Sequence, residues 1–159
     1  MQERIILGID PGFGRMGFGC IYVAGSTIAP IDYGVISTPS KDAFEDRLLA
    51  IATDLHALMV QHKPHVVVIE KLYFAKNSTT AMKVAEARGV AQLMAAQLNI
   101  PIVEFTPAQI KKAVTGDGKV GKVALQKMVK QLLDLATIPK PDDAADALAV
   151  AITASTKQW

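Results

Sequence analysis

Three strand-like segments open this sequence before any helical pattern begins, and only short turns separate them. Arg4–Ile9, Phe18–Val23 and Thr27–Ser37 are rich in Ile, Val, Tyr and Gly. Because parallel strands need a long crossover between them, we expect these three strands to be antiparallel. Helices and strands then alternate along the chain. The order therefore predicts an α/β fold in which a mixed five-stranded sheet is covered by helices on both faces.

The later elements follow from hydrophobic periodicity and from the positions of proline and glycine. Apolar residues spaced three and four apart predict an amphipathic helix over Ala43–His62. His65–Glu70 contains a continuous apolar run, which is typical of a strand buried on both faces. The remaining predictions are a helix at Ser78–Leu98, a strand at Pro101–Phe105, a loop at Gly116–Gly121, a linker at Thr137–Pro141, and helices at Thr106–Val114, Lys122–Leu135 and Asp143–Ser155.

Length and composition restrict the class of protein. The 159 residues predict a single domain spanning 1–159, which can bury a core without disulfides. The single Cys20 excludes an internal disulfide, and the sequence shows neither a signal-peptide pattern nor an apolar run long enough for a membrane span. We therefore expect a cytoplasmic protein with no membrane partner. The net charge of +2 taken alone argues against nucleic-acid binding, which usually brings a clear basic excess.

Four carboxylates occupy positions unlike those of ordinary surface charge. Asp10 ends the first strand, and Glu70 directly follows the apolar run Val66–Ile69. A carboxylate at the end of a buried strand loses hydration unless a cation or a hydrogen-bond donor meets it. If the two strands are neighbours, these two acids face each other at one edge of the sheet. Asp143 and Asp146 lie three residues apart, which places them about 60° apart on one face of a helix.

Converging oxygen ligands without His or Cys suit a hard cation, either Mg²⁺ or Mn²⁺. Two such ions about 4 Å apart can activate a water and stabilise the leaving oxygen in phosphodiester cleavage. Structural roles are the alternative for each acid by itself. Asp143 stands where a helix cap is common, although Asp142 could cap instead, and Asp10 precedes a Pro-Gly turn. The residues alone leave both interpretations open.

The glycines after the first strand offer a competing motif. Gly12, Gly14 and Gly17 match the G-x-G-x-x-G spacing of dinucleotide-binding folds, but that motif requires a helix to begin in the loop. The following residues Gly17–Val23 are strand-like, so the motif fails this requirement. An ATPase of the actin and sugar-kinase type also pairs an aspartate with glycines, but it needs a duplicated domain that 159 residues cannot hold.

Several short motifs along the whole chain resemble the RuvC family of Holliday-junction resolvases. They are Ile6-Leu7-Gly8-Ile9-Asp10-Pro11-Gly12, Gly17-Phe18-Gly19, Val68-Ile69-Glu70, Ala75-Lys76-Asn77, Ala87-Arg88-Gly89-Val90-Ala91 and Asp143-Ala144-Ala145-Asp146-Ala147-Leu148-Ala149. Each motif is weak alone, whereas the set in this order is specific. The resemblance implies a ribonuclease-H-like fold, in agreement with the predicted order of strands.

The resemblance also implies an activity and a site. The family's metal-binding and catalytic acids fall on Asp10, Glu70, Asp143 and Asp146, with Asp10 touching both of two Mg²⁺ ions; Asp143 is His in some relatives. The implied function is structure-selective cleavage of two opposed strands of a four-way DNA junction, in recombination and repair. The implied partners are a second copy of the chain and the RuvA–RuvB branch-migration complex. The alternatives are a catalytically silent junction-binding module and a general ribonuclease-H-like nuclease.

Candidate DNA contacts cluster in one basic segment. Residues 106–130 hold six lysines and one aspartate, a net charge of +5 suited to phosphate, although helix lysines also solvate surfaces. The resemblance singles out Lys111 and Lys122 there, and Lys119 lies in the glycine loop. Tyr73 is expected to stack on an unpaired base, with Lys76 nearby on the DNA, unless an aromatic of this segment packs into the core. The predicted helix Ser78–Leu98, apolar on most faces, is either core or a dimer interface.

Overall fold

The chain folds into a mixed five-stranded sheet with helices on both faces, which confirms the predicted fold class. The computed structural model describes residues 2–72 and 79–158. The elements are β1 (Glu3–Asp10), β2 (Arg15–Ala24), β3 (Thr27–Ser37), α1 (Phe44–His62), β4 (Val66–Glu70), α2 (Thr79–Gln97), β5 (Ile102–Phe105), α3 (Pro107–Thr115), α4 (Lys122–Leu132) and α5 (Asp142–Ser155). The spatial order is β3-β2-β1-β4-β5; β1 is antiparallel to β2 and parallel to β4.

Alternation along β1 and β4 separates two cores. Ile6 and Val68 belong to the cluster under α3, α4 and α5, whereas Leu7 and Ile69 belong to the cluster under α1 and α2. Successive side chains of a strand point to opposite faces, so even-numbered residues of β1 and β4 face α5. Asp10 and Glu70, the last residues of these strands, are therefore directed to the α5 face.

Glycines on the sheet let α5 approach β1 and β2 unusually closely. A methyl group added at Gly8 would lie 2.2 Å from the carbonyl oxygen of Ala147, and one at Gly19 would lie 2.7 Å from the amide nitrogen of Leu148. Gly8 and Gly19 are cross-strand partners, so together they form one flat patch beneath the helix. The alanine-rich sequence of α5 matches this patch, because small side chains allow backbones to pack closely.

The observed elements differ from the predicted ones at several of their ends, including those of β2, α4 and α5. β2 begins at Arg15, so no helix follows the glycine motif and its rejection as a dinucleotide site is confirmed. α4 ends at Leu132 instead of Leu135, because Asp134 adopts a left-handed backbone with φ of 51°. α5 begins at Asp142, one residue earlier than predicted. Among the described residues, none of the helices combines the length and apolarity needed to cross a membrane.

Candidate active site

The ends of β1 and β4 bring two acids to one edge of the sheet. The parallel register pairs Ile9 with Ile69, so Asp10 and Glu70 follow at neighbouring positions. Both side chains are partly buried on the α5 face. The turn after β1 is held from α1, where the buried Arg47 donates to the hydroxyl of Thr38 and to the carbonyl oxygen of Phe13 at 2.8 and 3.5 Å. Arg47 therefore ties the turn that follows Asp10 to α1 and to the residue after β3.

The other two acids come from the first turns of α5. The position of Asp143 depends on Gly17, the cross-strand partner of Asp10, because a methyl group there would lie 2.0 Å from the carbonyl oxygen of Asp143. The capping alternative for Asp143 and Asp142 is wrong: the N-cap is Pro141, and no side chain caps the helix. Asp146 lies one turn further along and lines the pocket beside Glu70.

The pKa of Asp10 reflects both its burial and its closeness to the other acids. Burial raises the pKa of Asp10 to about 8, and the charges of Asp146, Glu70 and Asp143 contribute to the rise, in that order. Burial and then the charge of Asp146 also raise the pKa of Glu70. Asp146 itself has a raised pKa, because its burial outweighs the opposing effect of Lys122. Three neighbouring carboxyls with raised pKa values, those of Asp10, Glu70 and Asp146, are typical of a functional site and costly for stability alone.

Two lysines place positive charge close to these acids. The Lys122 ammonium lies 3.3 Å from Asp146 Oδ2 and 3.7 Å from Asp142 Oδ2. Partial burial lowers the pKa of Lys122, but Asp146 and the other acids outweigh that effect, so the pKa is raised overall. Lys111 is close enough to oppose the rise in the pKa of Glu70, as Lys122 does. A pocket of about 230 Å³ opens between these groups and is lined by Glu70, Pro107, Ile110, Lys111, Lys122, Leu125, Asp146 and Val150.

Arg15 is a cation at this site that the sequence reasoning missed. Its Nε lies 3.4 Å from Asp143 Oδ2, and its side chain is 61% exposed. Arg15 is the first residue of β2, directly after the turn that follows Asp10. Its position in the sequence could have identified it, because antiparallel pairing brings the start of β2 close to the end of β1, where Asp10 lies.

The donor set fits hard divalent cations, although the side chains do not yet converge. Among residues 2–72 and 79–158, no group of three or more His, Cys, Asp and Glu side chains is arranged to hold a metal ion. Lys122 pairs with Asp146 at 3.3 Å, and its charge opposes the rise in the pKa values of Asp10 and Glu70. Carboxylates without thiolate or imidazole are the ligands that Mg²⁺ and Mn²⁺ prefer. Burial and the neighbouring acids raise the pKa of Asp10, so ionising its carboxyl is costly without a cation, and a bound divalent ion would favour the ionised form.

The expected DNA contacts fall into two groups. Lys111 and Lys122 line the acidic pocket, and Lys119 is exposed in the loop before α4, where its amide bonds the Asp117 carboxylate at 2.9 Å. Tyr73 and Lys76 lie outside the described residues. The basic segment thus borders the acidic cluster directly, so a phosphate backbone following the lysines would reach the acids.

Comparison with known proteins gives one consistent result. Residues 6–154 match the family model described as crossover junction endodeoxyribonuclease RuvC. A relative of that name from Pseudothermotoga lettingae is 48% identical over 147 residues, which cover 92% of this chain and 91% of the relative. The solved Thermus thermophilus RuvC structure is similar with a TM-score of 0.87 and 29% identity, covering 94% of this chain and 92% of that one. The same protein in complex with a Holliday junction substrate is similar with a TM-score of 0.86 and 27% identity, covering 94% and 91%.

Proposed function

The chain belongs to the RuvC family of crossover junction endodeoxyribonucleases, and we propose that it cuts four-way DNA junctions at the cluster formed by Asp10, Glu70, Asp143 and Asp146. Membership makes it a metal-dependent nuclease that acts on junction DNA. One observation carries the assignment of the site: burial and three neighbouring acids raise the pKa of Asp10 to about 8. Such a concentration of carboxyl groups beside a basic segment suits cations that bind both acid and phosphate.

The proposed cofactor is a pair of Mg²⁺ ions, which Mn²⁺ can replace. When bound, the two ions would activate a water and stabilise the leaving oxygen of the cleaved phosphodiester. Asp10, central to the cluster, would contact both, while Glu70, Asp146 and Asp143 would complete the two sites. The carboxylate of Asp143 also pairs with Arg15 at 3.4 Å.

The chain's own cations prepare the site for DNA. Lys122 partly neutralises Asp146 in the free protein through a 3.3 Å ion pair, and a divalent ion bound to Asp146 would weaken that pair. Its ammonium is then available to a DNA phosphate at the same edge of the pocket. Lys111 faces the same pocket, and Lys119 extends the basic surface. We further propose that Tyr73 stacks on a base at the junction centre and that Lys76 contacts the backbone, as the family resemblance implies.

Two copies of the chain would match the two-fold symmetry of a four-way junction. Support comes from α2, where Met82 and Leu93 are 64% and 52% exposed. Eleven helical residues return to within about 20° of the starting direction, so these apolar side chains share one face. A homodimer through this face is proposed, together with cooperation with the RuvA–RuvB complex. We also propose that this protein acts in the cytoplasm and that residues 1–159 form one domain.

Substrate competition tests this function against a general nuclease. Labelled four-way junction, linear duplex and RNA–DNA hybrid are mixed with the protein in Mg²⁺, and product is measured for each substrate. We expect the junction to be cut at least about tenfold faster than either alternative, because only a branched substrate presents two opposed strands to paired sites. Equal cutting of all three substrates would support a general nuclease. Tight junction binding without cleavage in Mg²⁺ or Mn²⁺ would support a silent binding module.

A further inference from the structure

Arg88 contacts the main chain of Glu70 from the face of the sheet opposite α5. Its Nε donates to the carbonyl oxygen of Glu70 at 3.2 Å, and the Arg88 side chain is only 15% exposed. Glu70 ends β4 on the α5 face, whereas Arg88 lies on α2 beneath the other face. Arg88 therefore holds the backbone that carries the acid without contacting the carboxylate itself.

The Arg88 guanidinium is itself held in place by β5. Its Nη2 lies 3.0 Å from Glu104 Oε1, and Gln92 donates to the same oxygen at 3.2 Å. Glu104 pairs with Ile69 in the parallel ladder, so it points to the α2 face as Ile69 does. A planar guanidinium fixed by one carboxylate can direct its remaining donors with little loss of freedom. Glu104 and Gln92 thus orient the group that meets Glu70.

The carbonyl of Glu70 needs a donor from outside the sheet. The β1–β4 pairing ends at Ile9 and Ile69, and β1 continues into Pro11, which has no amide hydrogen. On the other side, the last bond to β5 comes from Lys71 to the carbonyl oxygen of Phe105 at 2.8 Å. Arg88 supplies the donor at the point where the strand leaves the sheet.

We infer that Arg88 is a positioning residue that sets the direction of the Glu70 backbone and, through it, the metal affinity of the acidic cluster. The inference rests on the proposed function, because it assigns Glu70 as a metal ligand. Rotation of the backbone at the end of β4 would shift the position of the Glu70 carboxylate. A misplacement of about 1 Å costs on the order of 100-fold in rate. Arg88 exerts its effect through Glu70 and touches no substrate.

The test compares Arg88→Gln with Arg4→Gln, a matched control. Arg4 also donates to main-chain carbonyls, those of Ser155 and Lys157 at 3.0 and 3.1 Å, and it lies at the opposite end of β1. Mn²⁺ binding to the DNA-free protein is measured by calorimetry, and junction cleavage is followed against Mg²⁺ concentration in single turnover. We expect Arg88→Gln to weaken Mn²⁺ binding about tenfold and to raise the half-saturating Mg²⁺ similarly, with junction binding in Ca²⁺ changed by less than about twofold. Arg4→Gln should leave both metal readouts unchanged.

If Arg88→Gln folds poorly, a second variant, Glu104→Gln, still tests the inference. Glu104→Gln leaves the Arg88 guanidinium intact but removes the carboxylate that orients it, and it should weaken Mn²⁺ binding about threefold. A lower melting temperature with wild-type metal affinity in either variant would make Arg88 merely structural and overturn the inference. Wild-type protein that binds no Mn²⁺ would overturn the proposed function, and this inference with it.

Discussion

Asp10 is an example of a functional side chain that its unfavourable burial makes recognisable. Its carboxyl is buried beside Asp146, Glu70 and Asp143, and its pKa rises to about 8. Their places at the ends of elements marked all four acids as candidates, the family resemblance implied that they are ligands, and that assignment stays a prediction. Arg15 and Arg88 were not predicted as part of the site. The position of Arg15 at the start of β2 was a usable signal, whereas the contact of Arg88 with the Glu70 backbone depends on how α2 packs on the sheet.

Replacing Asp10 with Asn should stabilise the metal-free protein at high pH. A carboxyl whose pKa is raised on folding stabilises the folded state below its unfolded pKa, near 3.8, and loses that contribution as pH rises toward 8. Asp10→Asn removes this loss, so we expect a gain of about 1–3 kcal/mol at pH 8 and almost none at pH 4. Thermal melts in EDTA should show a rise of about 3–8 °C at pH 8.

The control for that experiment is Asp54→Asn, which removes an equal charge from the exposed surface of α1. It should leave the difference between the two pH values as in the wild type. A melting temperature of Asp10→Asn that exceeds the wild type by the same amount at pH 4 and pH 8 would contradict the burial of an acidic charge at this position.

The elements show which parts of the fold a sequence can reveal. Strand order and helix periodicity predicted the architecture, because alternation and spacing of apolar residues are local properties. The close packing of α5 on the sheet was not predicted. It depends on Gly8, Gly17 and Gly19 lying on one face across two strands, and only the register of β1 with β2 brings them together. Gly17, the last glycine of the G-x-G-x-x-G motif, thus allows α5 to pack closely on the sheet.

Adding a methyl group at Gly8 should be strongly destabilising. The new Cβ would lie 2.2 Å from the Ala147 carbonyl oxygen and 2.6 Å from the Ala151 amide, and neither backbone atom can move without shifting α5. We expect Gly8→Ala to lower the free energy of unfolding by about 2–4 kcal/mol in urea denaturation. Gly89→Ala is the matched control on α2, where nothing lies within 4 Å of the added carbon. It should raise stability by about 0.5–1 kcal/mol, since alanine favours a helix. Equal effects of the two changes would rule out close packing of α5.

At the scale of the whole molecule, the net charge of +2 conceals two opposed fields. An acidic cluster at the ends of β1, β4 and α5 borders a basic segment formed by α3, the following loop and α4. The expectation that near-neutrality argues against nucleic acid was wrong, because the chain belongs to a family of DNA junction nucleases. The net charge of a chain does not reveal positive and negative regions that the fold places in different parts of the surface.

The proposed dimer predicts how the molecule responds to a charge placed on α2. Leu93→Glu introduces a carboxylate on the exposed face of α2 that it shares with Met82, about three turns away, so we expect sedimentation velocity to change from dimer to monomer. Leu132→Glu, which alters an exposed apolar residue at the end of α4, should stay dimeric. The monomeric variant should nick single strands of a junction without paired cuts. A Leu93→Glu protein that sediments as the wild type does would place the interface elsewhere.

Cleavage of a synthetic four-way junction by the wild type and by Asp10→Asn tests the acidic cluster most directly. Both proteins are incubated with the junction in Mg²⁺, cut positions are mapped on all four strands, and binding is measured in Ca²⁺. We expect the wild type to cut two opposed strands at symmetric positions. Asp10→Asn should bind the junction within about twofold of the wild type and cut it at least about 1,000-fold more slowly, because it loses the ligand shared by both metal sites. Cleavage by Asp10→Asn at the wild-type rate would contradict the assignment of the active site.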